Sequence, residues 1–348
     1  MTPADPLERA LTAFVSAAPG GTGLAVAAVT PQGSTILCRG WTDASRRRPV
    51  TEHTGFEIGS VTKTFTALLL AELSARDEVH PHETLAAHLP PTALPRGPHS
   101  HSITLEHLAT HTSGLPRLPP GFLRAARPHW FTNPYRDFPP QALLPALSRT
   151  RVRRRPGTRT CYSNFGMGLL GHVLERATST PYAPLLRTRV LQPLGLTDTT
   201  AAPGTGHAVG HRNGTPLEPW LIPALPAAGA LRCSARDLLH YLGALLEPDR
   251  AAPPNTPLRT ALHKVLTPRP TAPGAPPLCL AWTHRTLPTR TVYFHSGGTR
   301  GFTAFTGLTA DPPTALAAVT NTGPTLRGTF IQTAYDLLHH LVRTSHRA

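Results

Sequence analysis

The stretch of sequence that decides the fold is residues 56–70, FEIGSVTKTFTALLL. A short extended start meets a hinge at Gly59, and the leucines that follow give a wide apolar face that predicts a helix over 61–76. Ser60 then begins this helix, and Lys63 lies beside it on the same face. The helix dipole stabilises an alkoxide at its positive end. A desolvated amine beside that hydroxyl can accept its proton.

Lysine is rare in this chain, which contains only Lys63 and Lys264 among 34 Lys and Arg residues. A Ser-x-x-Lys match alone is common by chance, and a helix cap beside a surface lysine is the alternative interpretation. Arg keeps its proton in proteins, whereas Lys can lose it. A chain that uses Arg nearly everywhere therefore favours a proton-shuttling role for Lys63, with Ser60 as the nucleophile.

A second polar segment, Tyr162-Ser163-Asn164, follows a Pro-Gly turn and precedes a predicted helix over 166–177. A phenol acts as general base and acid if nearby cations lower its pKa. Asn164 points the same way as Tyr162 in an extended segment and can orient Lys63 and a substrate carbonyl. The alternative is a Tyr that packs a loop and an Asn164 that caps the helix.

A third segment, His295-Ser296-Gly297-Gly298, ends a predicted strand. Such a strand presents backbone N–H groups to a tetrahedral oxyanion. Glycines let a substrate lie flat against it, and His295 and Ser296 can donate hydrogen bonds. The alternative is a glycine-rich bulge that merely ends the strand.

In this order and at these separations, the three segments resemble the serine β-lactamase and penicillin-binding protein superfamily, which uses Ser-x-x-Lys, Tyr-x-Asn and a Lys-Thr-Gly-like strand. Tyr in the second segment and His in the third are most similar to the branch of class C β-lactamases, DD-peptidases and related esterases. Residues 56–60, 104–115 and 193–196 support the resemblance, which covers residues 10–340.

The resemblance implies that Ser60 is the acylated nucleophile and that Lys63 and Tyr162 form its proton relay. Asn164 would contact Lys63 and the substrate. The backbone N–H groups of Ser60 and Gly298 would form the oxyanion hole.

The sequence departs from the pattern of class C β-lactamases at one position. His295 stands where most class C β-lactamases carry a Lys that helps to bind the substrate carboxylate, and in this it is similar to DD-peptidases and carboxylesterases. Arg300 could replace the lost charge and hold a carboxylate. The alternative is an arginine in a loop that faces solvent.

The pattern along the whole chain predicts an α/β (α+β) fold, in which an antiparallel sheet flanked by helices is built from both chain ends. Residues 1–79 and 251–348 would form this sheet lobe, and 80–250 an inserted, mainly helical lobe, with the active site in the cleft between them. The predicted strands are 23–30, 35–41, 278–284, 290–295, 303–308 and 314–320. The Pro-rich stretch 252–277 is expected to be a rigid surface connection.

Composition excludes several other classes of protein. The formal charge is +15, but the arginines are scattered and the one dense run, 151–155, has no interleaved aromatics, so we expect no nucleic-acid partner. No apolar run is long enough for a membrane span. The N-terminus lacks the pattern of a signal peptide, which predicts a cytoplasmic location. The four cysteines are widely spaced and form no Cys-x-x-Cys pair, and without an export signal we expect them to be reduced core residues, not a disulfide frame or a zinc site. No motif indicates a metal or another cofactor.

The predicted function is cleavage of an ester or amide through an acyl-enzyme on Ser60. The small-molecule substrate would be a β-lactam, a D-alanyl peptide or a carboxylic ester, and a monomer is expected. One alternative is a biosynthetic transacylase that passes the acyl group to an amine or alcohol. The alternative from another class is a non-catalytic binding protein on the same fold.

Overall fold

The computed structural model describes residues 6–18, 23–43, 48–269, 278–287 and 290–345. At its centre lies a six-stranded antiparallel sheet. Its strands are β1 (Leu24–Thr30), β2 (Gly33–Arg39), β3 (Thr283–Leu287), β4 (Arg290–Gly298), β5 (Thr303–Ala310) and β6 (Pro313–Thr320), and they lie in the order β2-β1-β6-β5-β4-β3. Because β1 pairs with β6, the two ends of the chain build one sheet, which confirms the predicted fold class.

Helices cover both faces of the sheet. The longer ones are α1 (Pro6–Ala17), α2 (Thr62–Ala75), α3 (Asn164–Thr178), α4 (Ala235–Leu246), α5 (Pro257–Val265) and α6 (Thr329–Ser345). Alternate residues of β1 point to opposite faces, as strand geometry requires: Val26 packs with α1 and α6, whereas Ala25 and Ala27 face the larger core. Helix α2 is buried on all sides over 62–73, which is typical of a central core helix.

Short elements connect this framework. The short helices are Leu85–His88, Leu105–Ala109, Phe122–Ala126, Leu143–Arg149, Tyr182–Leu186, Pro226–Gly229 and Pro248–Ala251, and a π-helical turn spans Arg187–Leu191. The 3₁₀ turns are Gly59–Val61, Pro91–Ala93, Ser100–Ser102, Arg127–His129 and Pro140–Ala142. Three two-stranded ribbons pair Trp41–Asp43 with Arg48–Pro49, Phe56–Glu57 with Arg232–Cys233, and His211–Arg212 with Thr215–Pro216.

Part of the Pro-rich stretch 252–277 is helical, contrary to the expected surface connection. Helix α5 begins at Pro257, and the Thr256 hydroxyl accepts a hydrogen bond from the backbone N–H of Arg259. Proline is favoured at a first helical position because the N–H that it lacks would have no partner there. Residues 270–277 lie outside the described part of the chain.

Two other boundaries differ from expectation. The strand predicted over 278–284 begins only at Thr283, and Leu278 makes an isolated bridge with Arg269 instead. Helix α4, which the predicted division at residue 250 assigns to the helical lobe, packs against β1, β5 and β6. The division into two lobes stays a prediction.

Close backbone packing brings the start of α2 against the end of β4. Gly59 has φ +48°, a conformation that favours glycine. A Cβ at Gly297 would lie 2.0 Å from the carbonyl oxygen of Ile58, so any larger residue there would push the two segments apart. The segment that carries Ser60 and the segment of the third motif are therefore neighbours.

Candidate active site

Three side chains from distant parts of the chain meet at the start of α2. The Nζ atom of Lys63 lies 2.9 Å from the Oγ atom of Ser60, and the hydroxyl of Tyr162 donates to the same Oγ at 2.6 Å. Ser60 and Lys63 meet because they are three residues apart at the start of a helix. Tyr162 reaches them from the segment before α3, at a sequence separation of 102 from Ser60.

Lys63 is fully buried, and this sets its charge. Burial, aided by the positive charge of Arg117, holds the pKa of Lys63 well below its usual value of 10.5. Nζ also donates to the backbone carbonyl of Ala228 at 2.6 Å, which fixes its position. A neutral amine in this place has a lone pair that can accept the Ser60 proton.

Tyr162 is also largely buried, and this burial controls the pKa of its phenol. Two cations lie near its ring: Lys63 Nζ is 4.9 Å and Arg117 Cζ is 5.1 Å from the ring centre. Burial nevertheless outweighs the Ser60 hydrogen bond and the Arg117 charge and raises the pKa of Tyr162 to about 12. Arg117 does lower this pKa, as a nearby cation should, but burial outweighs it, so the net change is upward and the phenol is a proton donor at neutral pH.

His111 packs behind Tyr162, with the two ring centres 4.5 Å apart. Its Nδ1 atom accepts a hydrogen bond from the backbone N–H of Ser163 at 3.3 Å. Burial lowers the pKa of His111 to about 3, so it is neutral. It therefore supports the Tyr162 loop without adding a charge.

Asn164 lies in the cleft, but its contacts differ from the expected ones. Its Nδ2 atom donates to the hydroxyl of Tyr135 at 2.6 Å, and its Oδ1 atom has no hydrogen-bond partner in the described part of the chain. The implied contact with Lys63 is replaced by the contacts of Lys63 with Ser60 and Ala228. The cap of α3 is Ser163, whose hydroxyl accepts from the N–H of Gly166, and not Asn164.

The third motif lies on β4, which ends beside Ser60. His295 is buried, and its Nδ1 atom lies 2.8 Å from the carbonyl oxygen of Ser296, to which it donates. Burial lowers the pKa of His295 to about 3. A neutral imidazole that is tied to the backbone does not supply the positive charge of a Lys at this position.

The glycines of the third motif place the backbone of β4 at the nucleophile. A Cβ on Gly297 would come within 2.9 Å of the backbone nitrogen of Ser60, and Gly298 is exposed and lines the cleft. Gly298 stands opposite Thr303 in the pairing of β4 with β5, which holds this end of the strand in place.

A cleft of about 1360 Å³ opens in front of Ser60. Four arginines line it, namely Arg117, Arg212, Arg300 and Arg327, together with the aromatic residues Phe122, Trp130, Tyr135 and Trp220. No Asp or Glu is among the described residues that line it. Sequence reasoning found only Arg300 of this set, because the others come from loops that carry no motif of their own.

A buried carboxylate connects the walls of the cleft, and sequence reasoning missed it as well. Glu57 accepts hydrogen bonds from the backbone N–H of Trp220 at 2.7 Å and from the hydroxyl of Thr299 at 2.8 Å, and it pairs with Arg232 at 3.2 Å. Burial, opposed by Arg232, raises the pKa of Glu57. The sequence signal that could have revealed this residue is a Glu within the apolar run before Gly59. A charge buried in such a run has to be paired, so a partner could have been expected.

Within the described ranges, no group of His, Cys, Asp and Glu side chains has the arrangement of a metal site. Likewise, none of the helices described has both the length and the apolar character that a bilayer span requires.

Comparison with known proteins agrees with this geometry. The sequence profile of the Beta-lactamase family matches residues 7–341. The D-alanyl-D-alanine-carboxypeptidase/endopeptidase AmpH of Escherichia coli is 31% identical over 196 residues, which cover 55% of this chain and 49% of that protein. A β-lactamase of Pseudomonas fluorescens is 31% identical over 255 residues, which cover 69% of this chain and 64% of the relative.

The matches with curated relatives are partial, since the chain spans about half the length of the first of them. The fold agrees over a longer range. The crystal structure of a β-lactamase/D-alanine carboxypeptidase from Pseudomonas syringae superposes with a TM-score of 0.81 at 21% identity, and the match covers 97% of this chain and 99% of that one. Because the family profile spans nearly all of the sequence, the chain belongs to the Beta-lactamase family.

Proposed function

We propose that this chain is a serine hydrolase that cleaves a carboxylic ester or an amide through an acyl-enzyme on Ser60. The observation that carries the proposal is the position of the Ser60 hydroxyl, which lies within hydrogen-bond distance of a buried amine and a buried phenol. A nucleophile, a base and an acid at one point are what acyl transfer requires.

In the first step, neutral Lys63 accepts the proton of Ser60 as Oγ attacks the substrate carbonyl. The low pKa of Lys63 leaves the amine free of a proton before the attack. The N–H groups of Ser60 and Gly298, at the adjoining ends of α2 and β4, stabilise the oxyanion of the tetrahedral intermediate. Tyr162, with its raised pKa, holds its proton until the leaving group needs it.

Collapse of the intermediate breaks the bond to the leaving group, which takes a proton from Tyr162. The phenolate then formed lies 4.9 Å, measured from its ring centre, from the Lys63 ammonium that formed in the attack. Proton transfer from Lys63 to Tyr162 restores the relay. In the second half-reaction, Lys63 accepts a proton from water as the water attacks the acyl carbonyl. Collapse of the second tetrahedral intermediate breaks the bond to Oγ, the Lys63–Tyr162 pair returns a proton to Oγ, and the carboxylic acid is released.

The cleft favours a particular substrate class within the family. A neutral, backbone-bonded His295 provides no cation at the place where most class C β-lactamases carry Lys. We therefore infer that small carboxylic esters and D-alanyl peptides are better substrates than β-lactams. Asn164 lines the cleft, and its buried Oδ1 atom has no hydrogen-bond partner among the described residues. A turn of this side chain towards the substrate would let Oδ1 accept a hydrogen bond from the substrate amide N–H.

The test is turnover of p-nitrophenyl acetate, p-nitrophenyl butyrate, a D-alanyl-D-alanine peptide and nitrocefin by the purified protein. We expect ester or peptide turnover to exceed nitrocefin turnover and to vanish in Ser60→Ala. Ser148→Ala, which changes a serine on a surface helix, is the control. Fast nitrocefin hydrolysis without ester or peptide turnover would overturn the substrate ranking. Activity that Ser60→Ala retains would overturn the mechanism. Product that forms only with an added amine acceptor would show a transacylase instead.

A further inference from the structure

Two of the cleft arginines, Arg212 and Arg300, are held side by side by backbone hydrogen bonds. The N–H of His211 donates to the carbonyl of Gly301 at 3.2 Å, so the residues before Arg212 and after Arg300 are joined. A Cβ on Gly301 would lie only 2.7 Å from the Cα of Gly210, which shows how closely these two backbones pack. The pair therefore belongs to the wall of the cleft rather than to separate loop tips.

Both guanidinium groups lie over the rings of two consecutive aromatic residues, Trp130 and Phe131. Arg212 Cζ lies 4.8 Å from the ring centre of Phe131, and Arg300 Cζ lies 5.5 Å from that of Trp130. Arg212 also donates to the carbonyl of Phe131 at 2.9 Å. Arginines that stack on rings are restrained, so less entropy is lost when they bind a ligand.

Neither arginine pairs with a carboxylate in the described part of the chain. The Nε atom of Arg300 is buried and has no hydrogen-bond partner there. Burial lowers the pKa of Arg300, and so does the like charge of Arg212. The cleft that they line contains no described acidic residue to offset them. An anion placed between the two guanidiniums would remove the repulsion and supply the missing acceptor.

We propose that Arg212 and Arg300 form a subsite for a doubly charged oxyanionic group on the non-reacting part of the substrate. Calling the ligand a substrate rests on the proposed function, whereas the binding itself does not. A phosphate monoester and a pair of carboxylates carry the same two charges, and each offers oxygens to both guanidinium forks. Trp130 adds an apolar surface beside the charges, so the group would be attached to an aromatic or aliphatic body.

The test is calorimetric binding of phenyl phosphate, phenylmalonate and benzoate to the purified protein, which needs no catalytic turnover. We expect the two dianions to bind at least about tenfold more tightly than benzoate, since they can make charge-assisted hydrogen bonds to both guanidinium groups. Preference between phenyl phosphate and phenylmalonate then distinguishes a phosphate from a dicarboxylate. Arg212→Gln and Arg300→Gln should each weaken dianion binding about tenfold or more and leave benzoate less affected.

Arg327→Gln is the matched control, because it removes the same charge from the exposed rim of the same cleft. Arg300→Lys keeps the charge without the planar fork and should restore only part of the binding. Equal affinity for benzoate and the dianions would overturn the proposal, as would no measurable binding by the unaltered protein. Equal losses in Arg327→Gln would show general attraction to a basic cleft and would overturn it as well. Loss of ester turnover in Ser60→Ala with intact dianion binding separates this result from the test of the mechanism.

Discussion

The inner and outer ends of the cleft are built in different ways. At the inner end, Lys63 lies on the central helix α2, Ser60 lies in the 3₁₀ turn that leads into it, and Gly297 and Gly298 lie on β4. At the outer end, Arg117, Trp130 and the Arg212–Arg300 pair come from loops and short ribbons. Rigid elements hold reacting groups at fixed distances, whereas loops on a rigid scaffold provide recognition. We therefore expect changes at the inner end to abolish chemistry and changes at the outer end to alter its pH dependence and its selectivity.

The largest effect is expected from Lys63→Met. The substitution keeps a buried, unbranched side chain but removes the base next to Ser60, so kcat/KM for an ester should fall roughly 10³- to 10⁴-fold. Lys264→Met is the natural control, because the only other lysine lies exposed on α5. Steady-state kinetics with p-nitrophenyl acetate measures both variants. Similar losses in the two variants would mean that Lys63 has no special role.

A smaller loss is expected from Tyr162→Phe, which removes the hydroxyl that donates to Ser60 and keeps the ring beside Lys63. We expect kcat to fall about 10²-fold, and less for esters with good leaving groups, because those need little help from an acid. Tyr293→Phe, on the sheet strand β4, is the control. An equal loss for good and poor leaving groups would contradict the assignment of Tyr162 as the acid.

Arg117→Gln should change the pH profile more than the maximal rate. Arg117 contributes to the low pKa of Lys63, so its removal raises that pKa. Because Lys63 must be neutral to act as the base, the acidic limb of kcat/KM should move to higher pH. The pKa of Tyr162 should rise as well, since Arg117 lowers it, and the alkaline limb should move in the same direction. Arg327→Gln should leave the profile in place, and an acidic limb that moves to lower pH would refute the electrostatic role of Arg117.

The smallest effect is the one that Lys63→Met has on stability. This substitution should lower activity but raise the free energy of unfolding. The folded-state pKa of Lys63 is lowered, so between this pKa and 10.5 the unfolded state binds more protons and folding is penalised. The penalty grows as pH falls from 10.5 towards the folded-state pKa. Lys63→Met should therefore raise the free energy of unfolding at pH 7 by about 1 kcal/mol.

Chemical denaturation at several pH values measures this gain, which should shrink as the pH rises towards 10.5. Lys264→Met should leave stability unchanged, because that side chain is exposed. Destabilisation by Lys63→Met at neutral pH would indicate that its bonds to Ser60 and Ala228 outweigh the cost of burial.

The same contrast explains how much could be predicted from sequence. The inner end could be predicted because Ser60 and Lys63 are three residues apart at the start of a helix with apolar periodicity, and because β4 ends in glycines. The sheet was readable from alternation, apart from the start of β3. The positions of Arg117, Arg212 and Glu57 in the site could not be predicted, because loop conformation and long-range pairing leave no local sequence pattern. The direction of the Tyr162 pKa shift could not be predicted either, because burial depends on the packed structure. The monomeric state and cytoplasmic location stay predictions.

The most direct test of the central claim is to locate the covalent adduct after brief treatment with a fluorophosphonate. Peptide mass spectrometry should place the label on Ser60, at a rate that rises with pH in the unaltered protein and drops sharply in Lys63→Met. Labelling should disappear in Ser60→Ala. A label on any other residue, or a rate in Lys63→Met equal to that of the unaltered protein, would contradict the account of Ser60 as a nucleophile activated by a buried neutral amine.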